Sequence, residues 1–117
     1  MSHITQIDPA ALGAPILKRP PADRIISGNP DQKSWPVDTA RNGSVLTGMW
    51  ECEPGAWHVN KGGSCEWCYL LEGVVELTDS DGTVKTFKAG DAFLLKDGWV
   101  GIWKTVERVR KFYVVAQ

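Results

Sequence analysis

The sequence predicts an all-β protein, a sandwich or barrel of many short strands in one domain. Three observations predict it. From Val45 onward, short runs rich in valine, tryptophan, phenylalanine and tyrosine are separated by turn chemistry at even spacing. No segment sustains the apolar period of a helix. The chain has 117 residues, enough for one core.

In chain order, residues 1–44 hold six of the seven prolines: Pro9, Pro15, Pro20, Pro21, Pro30 and Pro36. Proline removes a backbone donor and fixes φ, so this part is expected to be extended or turning, with at most short strands. We read residues 1–26 as an extended proline-rich arm lying on the body, and residues 27–117 as the barrel domain. Candidate strands follow at 45–53, 56–60, 65–72, 74–79, 83–88, 92–95, 100–106 and 109–116. The breaks are Pro54-Gly55, Lys61 to Ser64, Gly73, Asp79 to Gly82, Ala89 to Asp91 and Lys96 to Gly98. Asp81-Gly82 between two alternating runs is hairpin chemistry.

Net charge is −1 with an isoelectric point of about 6.1. This offers no electrostatic reason to expect nucleic acid or an anionic membrane surface. No apolar run approaches the ~20 residues that span a bilayer. The N-terminal residues lack a basic start followed by an apolar stretch, so no secretory signal is read and a cytoplasmic location is expected. Three cysteines cannot all pair within the chain, which suits reduced thiols. Six tryptophans either fill the core or line a pocket.

The stretch Cys65 to Gly73, "CEWCYLLEG", poses the functional question. As a strand, it sets residues three apart at about 10 Å and on opposite faces. A disulfide needs Cα atoms within about 7 Å, so Cys65 and Cys68 neither bridge nor chelate one ion there. A redox C-x-x-C instead works at a helix N-terminus. Alternation places Glu66, Cys68 and Leu70 on one face, and Cys65, Trp67, Tyr69 and Leu71 on the other. Both faces are mostly apolar, so both are expected to be covered. A carboxylate on such a face is costly unless paired or functional; the plain alternative is a strand-end charge reached by water.

Pro54-Gly55, Glu66 and Gly73 seven residues later form one motif skeleton, and Gly90 followed by Gly98 in "GDAFLLKDGWVGIWKT" forms a second. With "TGMWECEPG", "EWCYLLEG", "DGTVKTFKAGDAFLLKDGWVGIW" and "RKFYVV", these resemble the small single-domain cupins, jelly-roll barrels whose subfamily here includes the ureidoglycine aminohydrolases. The resemblance covers about three quarters of the chain. It implies a single cupin β-barrel and, since small cupins usually pair, a homodimer. A cupin metal centre uses about three histidines and one glutamate. Here the H-x-H positions, 59/61 or 60/62, hold Val59, Asn60, Lys61 and Gly62. The second-motif histidine, proline and asparagine positions hold Gly101, Lys96 and Thr105. Of that ligand set only Glu66 remains, and one carboxylate does not close a metal shell. No metal or other cofactor is therefore expected. His58 and Cys68 are the residues nearest to rescuing such a site.

If Gly101 faces inward, Trp99 and Trp103 share its face. They either plug the barrel or wall a slot in which a planar group stacks on Trp103, with Gly101 leaving room. Lys111 alternates with Val109, Tyr113 and Val115, and a lysine on an apolar face needs a partner or an exit to water. Lys111 or Lys61 is expected to neutralise Glu66 where a metal stood, with Tyr113 adding a hydroxyl. The candidate site is thus Glu66 as the catalytic group if there is one, with Trp57, Lys61, Cys68, Trp99, Gly101, Trp103, Lys111 and Tyr113 around it. The function read from this is a metal-free barrel binding an unidentified small molecule. The alternatives are a hydrolase of the ureide or amidine kind using Glu66 in acid–base chemistry, a non-catalytic interaction protein with a filled barrel, and a thiol-redox module.

Overall fold

The computed structural model describes residues 2–117. Nine strands form one antiparallel sheet that curls on itself: β1 (Ile16–Lys18), β2 (Ile25–Gly28), β3 (Gln32–Ala40), β4 (Val45–Cys52), β5 (Gly55–Asn60), β6 (Cys65–Thr78), β7 (Val84–Lys88), β8 (Ala92–Leu95) and β9 (Val100–Ala116). The one helical turn among the described residues is Ala22–Arg24. Such closure is how an antiparallel sheet of this size hides its apolar face.

The long strands β6 and β9 make the curl. The C-terminal half of β9 lies between β4 and the N-terminal half of β6, which also pairs with β8. The N-terminal half of β9 lies between β5 and the C-terminal half of β6, which pairs with β7. Each long strand thus belongs to both halves of the jelly roll. The sequence suggested two strands in each place, with Gly73 as a break. Instead Gly73 sits in a run of register shifts between Leu70 and Val75. Its φ is +91°, and a Cβ there would stand 2.1 Å from the Arg108 carbonyl oxygen. Glycine lets β6 bulge and bend from one half to the other without ending.

Within the proline-rich part, β3 runs nine residues through Pro36. The bulge between Pro36 and Asp38 and the early end of β1, which pairs only with Gln32 to Ser34, leave the proline nitrogen at a free edge. β1 and the first two residues of β2 fall within residues 1–26, so that stretch adds edge strands to the sheet.

Alternation sends Cys52, Trp57, Cys68, Leu70, Val75, Leu77, Trp103 and Val109 into one buried lumen cluster. The opposite face is covered in part. Met49 is fully buried there, beside Trp35 and Phe112 in register, and the Trp35 indole donates to the Gly13 carbonyl at 3.1 Å. The N-terminal segment covers that patch. The next rung is open: Trp67, expected to be covered, is 43% exposed and Leu94 beside it 55%.

Candidate functional site

Glu66 lies at the lumen end of β6, paired with Leu95 and Val115, and is buried. Alternation on a doubly paired strand forces the side chain inward. Both carboxylate oxygens are taken. The Lys61 ammonium donates to Oε1 at 2.5 Å and the Lys111 ammonium to Oε2 at 2.5 Å. The Cys68 thiol also donates to Oε2, at 3.2 Å. Lys111 rises from the middle of β9, opposite Trp50 and Leu70. Its ammonium contacts the Cys68 sulfur at 3.5 Å and stands 4.4 Å and 4.6 Å from the ring centres of Trp50 and Trp103. These are cation–π distances, and burial of the ammonium strengthens them. Lys61 enters from the loop after β5, a placement the sequence left open.

The charges follow from these contacts. Burial pushes the Glu66 carboxyl up, but the Lys111 and Lys61 ammonium groups outweigh it and hold it at about 2. Burial likewise opposes the charge on Lys111, yet the Glu66 carboxylate facing it moves it above the ordinary lysine value. Burial pushes the Cys68 thiol up to about 12, so it remains a thiol at neutral pH.

A cleft of about 340 Å³ opens over this triad. Trp50, Trp57 and Trp103 wall it: Trp50 meets Trp103 edge-on at 5.3 Å, and Trp57 stacks on Trp103 at 6.0 Å. Trp99 and Tyr113 complete the expected lining, and Gln32, Ser34 and Lys18 join from β3 and β1. Cys68 lies behind Glu66 rather than on the cleft. Gly101 is not on it either. The room left by its missing Cβ is filled by the Thr78 carbonyl oxygen, 2.0 Å from where that atom would stand, and by the Trp99 indole at 2.6 Å. Trp50, along with Lys18, Gln32 and Ser34, is a residue the sequence reading passed over. Its alternation with Cys52 was the available signal, but pairing with Lys111 across β4 and β9 is a tertiary fact. A larger groove of about 530 Å³ bordered by Phe87, Phe93 and Trp99 also carries Asp79, Lys85, Lys96 and Asp97, but all four are exposed, unlike the buried ion pairs of the Glu66 cleft.

Residues 39–113 match the family model of the EutQ-like cupin domain. The chain belongs to the EutQ-like cupin family. No curated protein matches this cupin. Among solved structures it is similar to a protein with unknown function from Pseudomonas syringae pv. tomato str. DC3000 (TM-score 0.83, 27% identity), covering 94% of this chain and 46% of that one. The cupin thus spans less than half the length of that protein. A Thermotoga maritima protein placed in the same family as the Pseudomonas one is 37% identical (TM-score 0.53), over 56% of this chain and 73% of that. The ethanolamine utilization protein EutQ of Salmonella typhimurium shares the fold at 22% identity (TM-score 0.63), over 73% of this chain and 68% of that.

The cupin fold implies a metal, and the residues at the site do not fit one. The single carboxylate is clamped on both oxygens by ammonium groups, which repel a cation from its lone pairs. His58 is exposed, and Cys68 keeps its proton. Among the described residues no three His, Cys, Asp or Glu side chains converge. Among them, too, no helix is long and apolar enough to cross a membrane.

Proposed function

We propose that this cupin binds a small molecule without a metal, in the cleft above the Lys61–Glu66–Lys111 triad. The observation that carries the reading is the pair of 2.5 Å ion contacts on Glu66. They occupy the lone pairs a metal would use, and they leave an aromatic-walled cleft of ligand size beside them. The open cleft favours this over a filled interaction barrel. The low Glu66 value disfavours a ureide or amidine hydrolase with Glu66 as general base, because an efficient base titrates near the working pH. The high thiol value and separated strand positions of the cysteines disfavour redox chemistry.

The test is protein purified without added metal. The expected result is transition metal far below one equivalent, a melting temperature indifferent to chelator, and a metabolite fraction that raises that temperature and quenches tryptophan fluorescence. One equivalent of metal per chain, or a melting temperature that chelator lowers, overturns the reading.

We further propose a homodimer in which a second copy covers the open rung of Trp67 and Leu94. The rung continues an outer face whose neighbouring patch is already closed by the N-terminal segment. Trp67 and Tyr69 stack there at 6.5 Å, giving a flat uncharged surface that can meet itself across a two-fold axis.

A further inference from the structure

We infer that the ligand of this cleft is an organic anion, a carboxylate on a planar or apolar body, with the carboxylate on Lys61 and the body against Trp50 and Trp57. The inference rests on the small-molecule reading of the same cleft and adds the chemical class.

The first support is the charge balance. Three ammonium groups, Lys18, Lys61 and Lys111, line the cleft against one carboxylate, Glu66. Two of the three share that carboxylate, so the triad itself holds one uncompensated positive charge. The side chains of Lys61 and Lys111 are only 15% and 6% exposed. An unpaired charge so placed is costly, and low-dielectric walls focus its field on whatever enters.

The second support is the distribution of donors. Lys111 is spent, with Glu66, Cys68 and two indole faces around it. The Lys61 ammonium has three N–H groups and one side-chain acceptor, Glu66 Oε1. It lines the cleft, so a carboxylate oxygen entering there meets donors already aimed at an anion. Gln32 uses its carbonyl oxygen on the Trp50 indole at 3.3 Å, which leaves its amide N–H groups for the same carboxylate. The third support is the wall. Trp50, Trp57 and Trp103 present apolar faces that accept a ring or a branched chain. Among the described residues no arginine lines the cleft, so the planar fork suited to a phosphate dianion is missing.

The experiment titrates the full-length protein with benzoate, benzamide and inorganic phosphate, by calorimetry and tryptophan fluorescence at low salt. Benzoate is expected to bind saturably, at least about tenfold tighter than its neutral isostere and than phosphate. Added salt weakens it. Lys61→Gln loses about tenfold or more in benzoate affinity, and Lys61→Arg, which keeps the charge, recovers most of it. Benzamide or phosphate binding within tenfold of benzoate, or Lys61→Gln binding benzoate like wild type, overturns the anion assignment while the cleft remains a small-molecule site. No benzoate binding at millimolar concentration also overturns it, and the metal and metabolite assay then judges the underlying reading by itself.

Discussion

Glu66 takes part in two opposed effects, and their balance is measurable. Desolvation works against its charge, and two ammonium contacts work for it and win. Its value in the folded protein is depressed from the ordinary 4.5 to about 2. A depressed carboxylate adds stability that is fully present above its unfolded value and is lost as pH falls through the folded one. The window is therefore between about pH 4.5 and pH 2. Denaturant unfolding of wild type and Glu66→Gln across that window is expected to show a difference, on the order of 3 kcal/mol at neutral pH, that shrinks steadily toward pH 2. A pH-independent difference would mean that the carboxylate is not ion-paired. Where Glu66→Gln folds poorly, the pair Glu66→Gln with Lys111→Met is expected to be more stable than the single variant, because removing one partner strands the other charge in the lumen.

At the scale of elements, the two bent strands decide where the site's residues stand. β9 carries Trp103 in one half and Lys111 in the other, and the shift between halves lets one strand supply both the aromatic wall and the cation. Close backbone approach at Gly73 and Gly101 makes that path possible. Gly101→Ala would drive a methyl group into the Thr78 carbonyl and the Trp99 indole. The expected cost is about 1–3 kcal/mol of stability, read from denaturant midpoints, with no change in metal content. A neutral result would mean that position 101 faces open space, as a ligand-accommodating glycine would.

At the scale of the molecule, the curled sheet leaves an apolar stretch of its outer face uncovered. A lone exposed tryptophan needs no explanation, but Trp67 stacked on Tyr69 with exposed Leu94 paired beside it forms a continuous patch. Light scattering after gel filtration is expected to give a dimer for wild type and a monomer for Trp67→Glu, with benzoate binding unchanged because the patch lies on the face opposite the lumen. A wild-type monomer at micromolar concentration would overturn the dimer.

Much of the fold was legible because strand chemistry is local. The turn residues bounded β4, β5, β7 and β8 to within a residue, though β1, β2 and β3 were missed, and alternation along "CEWCYLLEG" put Glu66 and Cys68 on one face without knowledge of any partner. The absent histidines were equally a property of the sequence alone. What stayed illegible depends on pairs far apart in the chain. Glycine at 73 reads locally as an end, yet the hydrogen bonds of β9 carry the strand through it as a bend. Proline at 36 reads as a strand breaker, yet the short reach of β1 leaves it at a harmless edge. Trp50 became part of the site, and Gly101 left it, through contacts between residues tens of positions apart. Which residue types were on hand for charge and stacking was decided by the sequence. Which of them meet was decided by the closure of the sheet, because register between distant strands is an energy of the whole barrel and of no single segment.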